Sequence, residues 1–95
     1  MKIKFQGAMI EWRGPSPFYF VPVPEGSSKK IKEMAAQLSY GWGVIPVIGK
    51  IGKTEFSTAL IPKDGRYYLP IKNAVRFAEK FEVDSEVSVS ISVGG

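Results

Sequence analysis

The chain has no cysteine and no histidine. Without them there is no disulfide to tie the fold, no thiolate or imidazole nucleophile, no Ser-His-Asp triad and no zinc site built on Cys or His. Long apolar runs are also missing, since nothing approaches the ~18 residues needed to cross a bilayer as a helix. The first segment, MKIKFQGAMIEW, interrupts its apolar residues with Lys, Gln, Gly7 and Glu11, so it does not read as a secretory signal. These absences lead to the expectation of a cytoplasmic, non-enzymatic protein with no membrane span, no metal and no cofactor.

What remains is a 95-residue chain, 44% hydrophobic, 23% charged and 13% aromatic, which is the composition of one small folded domain. Thirteen basic residues against nine acidic ones leave +4, and the surplus is uneven. Residues 1–25 carry +1, residues 26–78 carry +6 and residues 79–95 carry −3. A basic middle attracts acidic partners at long range, nucleic acid foremost, although a solvated lysine-rich surface has the same composition.

Period-2 alternation is clearest in Val87-Ser88-Val89-Ser90-Ile91-Ser92-Val93, a strand with one buried face. The first segment alternates as far as Gly7, where a bulge or bend is expected. Phe18 to Val23 is a strand that Pro22 confines to an edge or ends early. Val44 to Ile51 and Thr54 to Ile61 flank Gly52-Lys53, which suits a type II′ hairpin. A turn at Pro62–Arg66 leads into Tyr67-Tyr68-Leu69. Two segments have helical spacing. Ser27 or Ser28 is placed to cap a helix burying Ile31, Met34, Ala35 and Leu38, and Asn73 to cap one burying Ala74, Phe77, Ala78 and Phe81. The order is β β α β β β α β, six short strands with two small helices.

Val21-Pro22-Val23-Pro24 followed by a helix is echoed by Tyr67-Tyr68-Leu69-Pro70 followed by a helix, pairing Val23 with Leu69 and Pro24 with Pro70. The echo suggests two strand–Pro–helix–strand halves, roughly residues 1–48 and 49–95, within one domain spanning 1–95. Leu69-Pro70-Ile71-Lys72-Asn73-Ala74-Val75-Arg76 resembles the LPxKxAVR segment of the domain of unknown function 1905 family. Phe18–Glu25, Gly41–Val47 and Thr54–Pro62 resemble further segments of that family in the same order. One departure is Asp84-Ser85, where the family tends to have Gly-Asp. The resemblance implies a double-split β-barrel, mainly β with two short helices, as in DNA-binding proteins of the AbrB and MazE type, which build it from two chains. It implies no activity, and fold alone does not confer one.

Candidate functional residues fall into two groups. Lys29, Lys30 and Lys32 on the first helix, with Lys72 and Arg76 on the second, are candidate nucleic-acid contacts; a solvated helix face is the alternative reading. Trp12, Tyr40 and Trp42 border glycine-rich turns and are candidate contacts for a small ligand or protein partner, or else close the ends of the barrel. Glu82, Asp84 and Glu86 read as a solvated turn rather than a metal or glycosidase site. The oligomeric state is left open, with a monomer compatible with the composition.

Overall fold

The computed structural model describes residues 2–13, 17–37 and 44–93. The alternating first segment forms β1 (Lys2–Ala8) and β2 (Ile10–Arg13), followed by β3 (Pro17–Pro22) and helix α1 (Glu25–Gln37). Then come β4 (Ile45–Ile51), β5 (Thr54–Lys63), β6 (Arg66–Pro70), helix α2 (Asn73–Glu79) and β7 (Glu86–Val93). The order matches the expected one except that the first strand is two. The bend is at Met9 and not at Gly7, because the β1–β7 register runs unbroken through Gly7 and Val87. Met9 is fully buried, and its N–H and carbonyl are bonded to Ser85 and Asp84. Gly7 serves close packing instead, since a Cβ there would meet the Pro22 carbonyl and a Val21 methyl at 3.0 Å each.

The strands form one antiparallel sheet in the order β1-β7-β4-β5-β6-β3-β2, curled into a half-barrel. Two long segments link its two sides. Lys2–Arg13 pairs with β7 through β1 and with β3 through β2, and β5 pairs with β4 over Thr54–Leu60 and with β6 over Ile61–Lys63. β3 is therefore internal, and Pro22 limits it by ending it. The Gly52-Lys53 hairpin has positive φ at Gly52 alone (59°), as a type II′ turn requires.

Across the β3–β6 pair Val23 donates to the Tyr67 carbonyl and Ile71 donates to the Tyr19 carbonyl, so the segments leading into the two helices are bonded alike.

Inward strand positions fill the core with Val21, Leu60, Leu69 and Ile91, joined by Met9 from the bend, each with no exposed area. β7 keeps the expected alternation: Val87, Val89, Ile91 and Val93 are buried and the residues between them face outward.

Helix α1 buries Ile31 and Ala35 as expected but begins at Glu25, so neither Ser27 nor Ser28 caps it. Ser28 lies inside the helix, buried against the sheet. Helix α2 differs more. Its single buried residue is Val75, while Ala74 and Ala78 are exposed, Phe77 is 65% exposed and Phe81 is half-buried. Asn73 is its first residue and Lys72 occupies the cap position without a side-chain bond. With only two turns, the helix takes its rotation from its anchors, the buried Ile71 before it and the left-handed Lys80 (φ 55°) that ends it, and not from its own apolar spacing. Asp84 adopts φ 70°, so Asp at this turn takes the left-handed conformation that glycine adopts most readily.

Candidate functional site

The basic residues expected to act together are split between the ends of the β3–β6 pair. α1 leaves β3 beside Arg66 and Tyr67, whereas α2 leaves β6 beside Tyr19, and β3 and β6 run antiparallel. Lys29, Lys30 and Lys32 are exposed on α1. Lys29 and Lys32 overhang a groove of about 630 Å³ between α1 and the β5–β6 turn, whose lining also holds Glu25 and Asp64. Lys72 is exposed at the start of α2. Arg76 is half-buried, its guanidinium 4.0 Å from the Tyr19 ring centroid and 4.8 Å from that of Phe77. Its Nη2 donates to Asn73 Oδ1 (3.3 Å), and its buried Nε has no hydrogen-bond partner. Stacking between two rings holds this side chain at the helix surface.

At the α1 end, a buried polar knot ties helix to sheet. The Val23 carbonyl accepts from Ser28 Oγ (3.1 Å), Arg66 Nε (3.1 Å) and Arg66 Nη2 (2.9 Å). Ser28 Oγ in turn accepts from the Tyr67 N–H (3.1 Å). Tyr67 itself is buried, and desolvation raises its phenol pKa above the ordinary 10.0. The unfolded chain therefore ionises this phenol first. The stability Tyr67 contributes is intact below pH 10 and is lost as pH rises from there through the folded-state value. Denaturant titrations between neutral pH and pH 11 should show wild type losing more stability than Tyr67→Phe; parallel losses would refute the assignment.

A different set of lysines meets on the outer face of β1, β7 and β4. In register, Lys4 lies opposite Ser90, and Ser90 opposite Lys50, so the three residues form one row across three strands. Lys2 and Gln6 flank Lys4 on the same face of β1, and Gln6 Nε2 donates to Ser88 Oγ (3.2 Å). Lys2, Lys4, Lys50, Gln6, Ser88 and Ser90 line a shallow concavity of about 690 Å³ that no carboxylate of the described residues lines. Glu55 pairs with Lys50 across β4–β5 but stands outside it. The sequence carried a signal for this surface in the Lys/Lys/Gln and Ser/Ser/Ser alternations of its first and last strands. Their convergence depends on the β1–β7 and β4–β7 registers.

A third surface, on β2, β3, β6 and β5, is aromatic. Trp12, Phe18, Phe20 and Tyr68 form a row with successive ring centroids 6.1, 6.5 and 6.4 Å apart. Trp12 is 49% exposed and Phe18 50%. Trp12 thus stands on an open face and does not close the barrel. Tyr40 and Trp42 lie outside the described residues.

Among the described residues no helix is long and apolar enough to cross a membrane. The family model described as a domain of unknown function (DUF1905) matches residues 5–91. No curated protein matches the chain.

Proposed function

Given that the chain belongs to the domain of unknown function 1905 family, whose description assigns no activity, we propose from its own surface that it is a non-enzymatic nucleic-acid-binding module. The observation that carries this reading is the concavity holding Lys2, Lys4 and Lys50 among the hydroxyl and amide donors of Ser88, Ser90 and Gln6, with no acidic side chain among the described residues that line it. Cations grouped with neutral donors and no competing carboxylate suit phosphate oxygens, which accept from both. The net charge of +4 adds long-range attraction of the same sign. Lys29, Lys30, Lys32 and Lys72 contribute to that field, but their placement at two ends of the sheet keeps them from gripping one short site together. The double-split architecture implied by the resemblance to AbrB- and MazE-type proteins adds support by analogy only. A cytoplasmic setting, which the lack of cysteine favours, belongs to the same proposal.

Three lysine–phosphate contacts set the expected salt dependence. The slope of log affinity against log salt is about −2 for a single strand and about −2.7 for a duplex, so affinity falls roughly 20- to 40-fold between 50 and 200 mM salt. Fluorescence anisotropy with labelled single- and double-stranded oligonucleotides measures both. The double variant Lys4→Gln/Lys50→Gln should weaken binding and flatten the slope by about 1.4–1.8, whereas Lys29→Gln/Lys32→Gln should flatten it far less. No saturable binding at low salt, or a slope indifferent to Lys4 and Lys50, would overturn the reading.

A further inference from the structure

The aromatic face holds a groove that the nucleic-acid reading leaves unused. Its floor is Phe20 and Tyr68, packed edge to face at 82°. One wall is Ile10 and Trp12 from β2, and the other is Ile61 and Lys63 from β5. These walls belong to strands at opposite sides of the β3–β6 pair, and their side chains line one groove across it. Lys63 Nζ ends 5.9 Å from the Trp12 ring centroid. The groove is open on one side and has a volume of about 310 Å³, at the lower limit for small-molecule sites.

We propose that this groove binds a small planar aromatic molecule carrying one anionic group, with its ring against Trp12, Phe20 and Tyr68 and its anion toward Lys63. Three features of the groove select that class. The floor and both walls are apolar up to the rim, so a ring is favoured over a sugar or a polar chain. Among the described residues Lys63 is the one charged residue lining the groove and no carboxylate lines it, so the preferred ligand is negative and a cation is disfavoured. The volume admits one or two fused rings and excludes a folded peptide segment. Lys63 Nζ already lies over the Trp12 ring, so a carboxylate finds its cation placed beside the ring surface. This site lies on different strands from the lysine row of β1, β7 and β4, and its test does not depend on that proposal.

The probes are naphthalene-2-carboxylate, its neutral alcohol 2-naphthalenemethanol and its cation 2-naphthylmethylamine. Binding is followed by two-dimensional NMR of the 15N-labelled protein, reading the Trp12 indole N–H and the backbone amides of β2, β3, β5 and β6. For a ligand of this size a dissociation constant of about 10–500 μM is expected for the carboxylate. The order should be carboxylate, alcohol, amine. Lys63→Met should weaken the carboxylate roughly tenfold while leaving the alcohol within about twofold. Trp12→Ala should weaken both. Unchanged amide dispersion in each variant separates lost binding from lost fold. The proposal is overturned if the carboxylate causes no saturable shift by about 5 mM, if the amine binds as well as the carboxylate, or if the shifts map to α1 or β7. It is also overturned if sedimentation shows that a second copy of the chain covers Trp12, or if an oligonucleotide displaces the carboxylate from these residues.

Discussion

Phe56→Ala should lower the unfolding free energy by about 3–5 kcal/mol and the melting temperature by more than about 12 °C, because a buried ring is removed from a domain with little core to spare. The more informative measurement couples this change to Gly49. The two residues face each other in the β4–β5 register, and a Cβ added to Gly49 would lie 2.7 Å from Phe56 Cζ, 3.0 Å from Cε2 and 3.2 Å from Cε1. The glycine is therefore there for space: its φ is not in the left-handed range, and the ring lies over its bare Cα. In the wild-type background Gly49→Ala should cost about 1–3 kcal/mol by displacing the ring. In the Phe56→Ala background the same change should be neutral or stabilise by up to about 1 kcal/mol, since alanine is otherwise the better residue in a strand. Denaturant unfolding of the four proteins gives the coupling energy directly. Additive effects would mean that the ring is not seated on Gly49.

Ser28→Ala should cost about 1–3 kcal/mol, although it removes a single oxygen. Ser28 is 3% exposed, and its hydroxyl is the acceptor for the Tyr67 N–H. Alanine leaves that N–H buried without a partner. The Val23 carbonyl, by contrast, keeps both Arg66 donors in this variant. Arg66→Met alone leaves the carbonyl its Ser28 donor. The double variant strips every side-chain donor from it, so the combined loss should exceed the sum of the single losses by roughly 1 kcal/mol or more. Chemical denaturation of the three variants decides this, and strict additivity would show that serine and arginine do not share one acceptor. The same knot positions α1, so a loosened α1 should also expose Tyr67.

Several features were readable because they are local. Strict alternation from Val87 to Val93 needs only the strand period to assign a buried face. Gly52-Lys53 between apolar runs needs only backbone sterics to make a hairpin. Ile31 and Ala35 lie one turn apart on a helix long enough to express its own periodicity. The second helix had the same pattern on paper and did not follow it. At seven residues α2 is too short for its apolar spacing to outweigh the pull of Ile71 and Val75 into the core, so Phe77 was turned out to solvent beside Arg76.

The candidate surfaces divide along the same line. Trp12 was singled out from sequence, but Lys63, Ile61 and Tyr68 were not, because nothing along the chain indicates that β2 and β5 approach each other across β3 and β6. Nothing in the alternation of the first strand distinguishes Lys2 and Lys4, and only the register sets Ser90 between Lys4 and Lys50. Arg76, a candidate nucleic-acid contact by sequence, lies against rings contributed by β3 and by its own helix.

The sequence alone therefore determined the family, the predominance of β-structure, the order of the elements apart from the break at Met9, and the chemistries that a chain without cysteine or histidine must forgo. Periodicity, turn sterics and composition act within a few residues, and a linear string contains all of them. Tertiary structure decided which strand lies beside which, which way α2 rolled, and which cations share a face. Those outcomes depend on registers between residues far apart in the chain, where shifting one strand by a single residue moves every side chain to the opposite face.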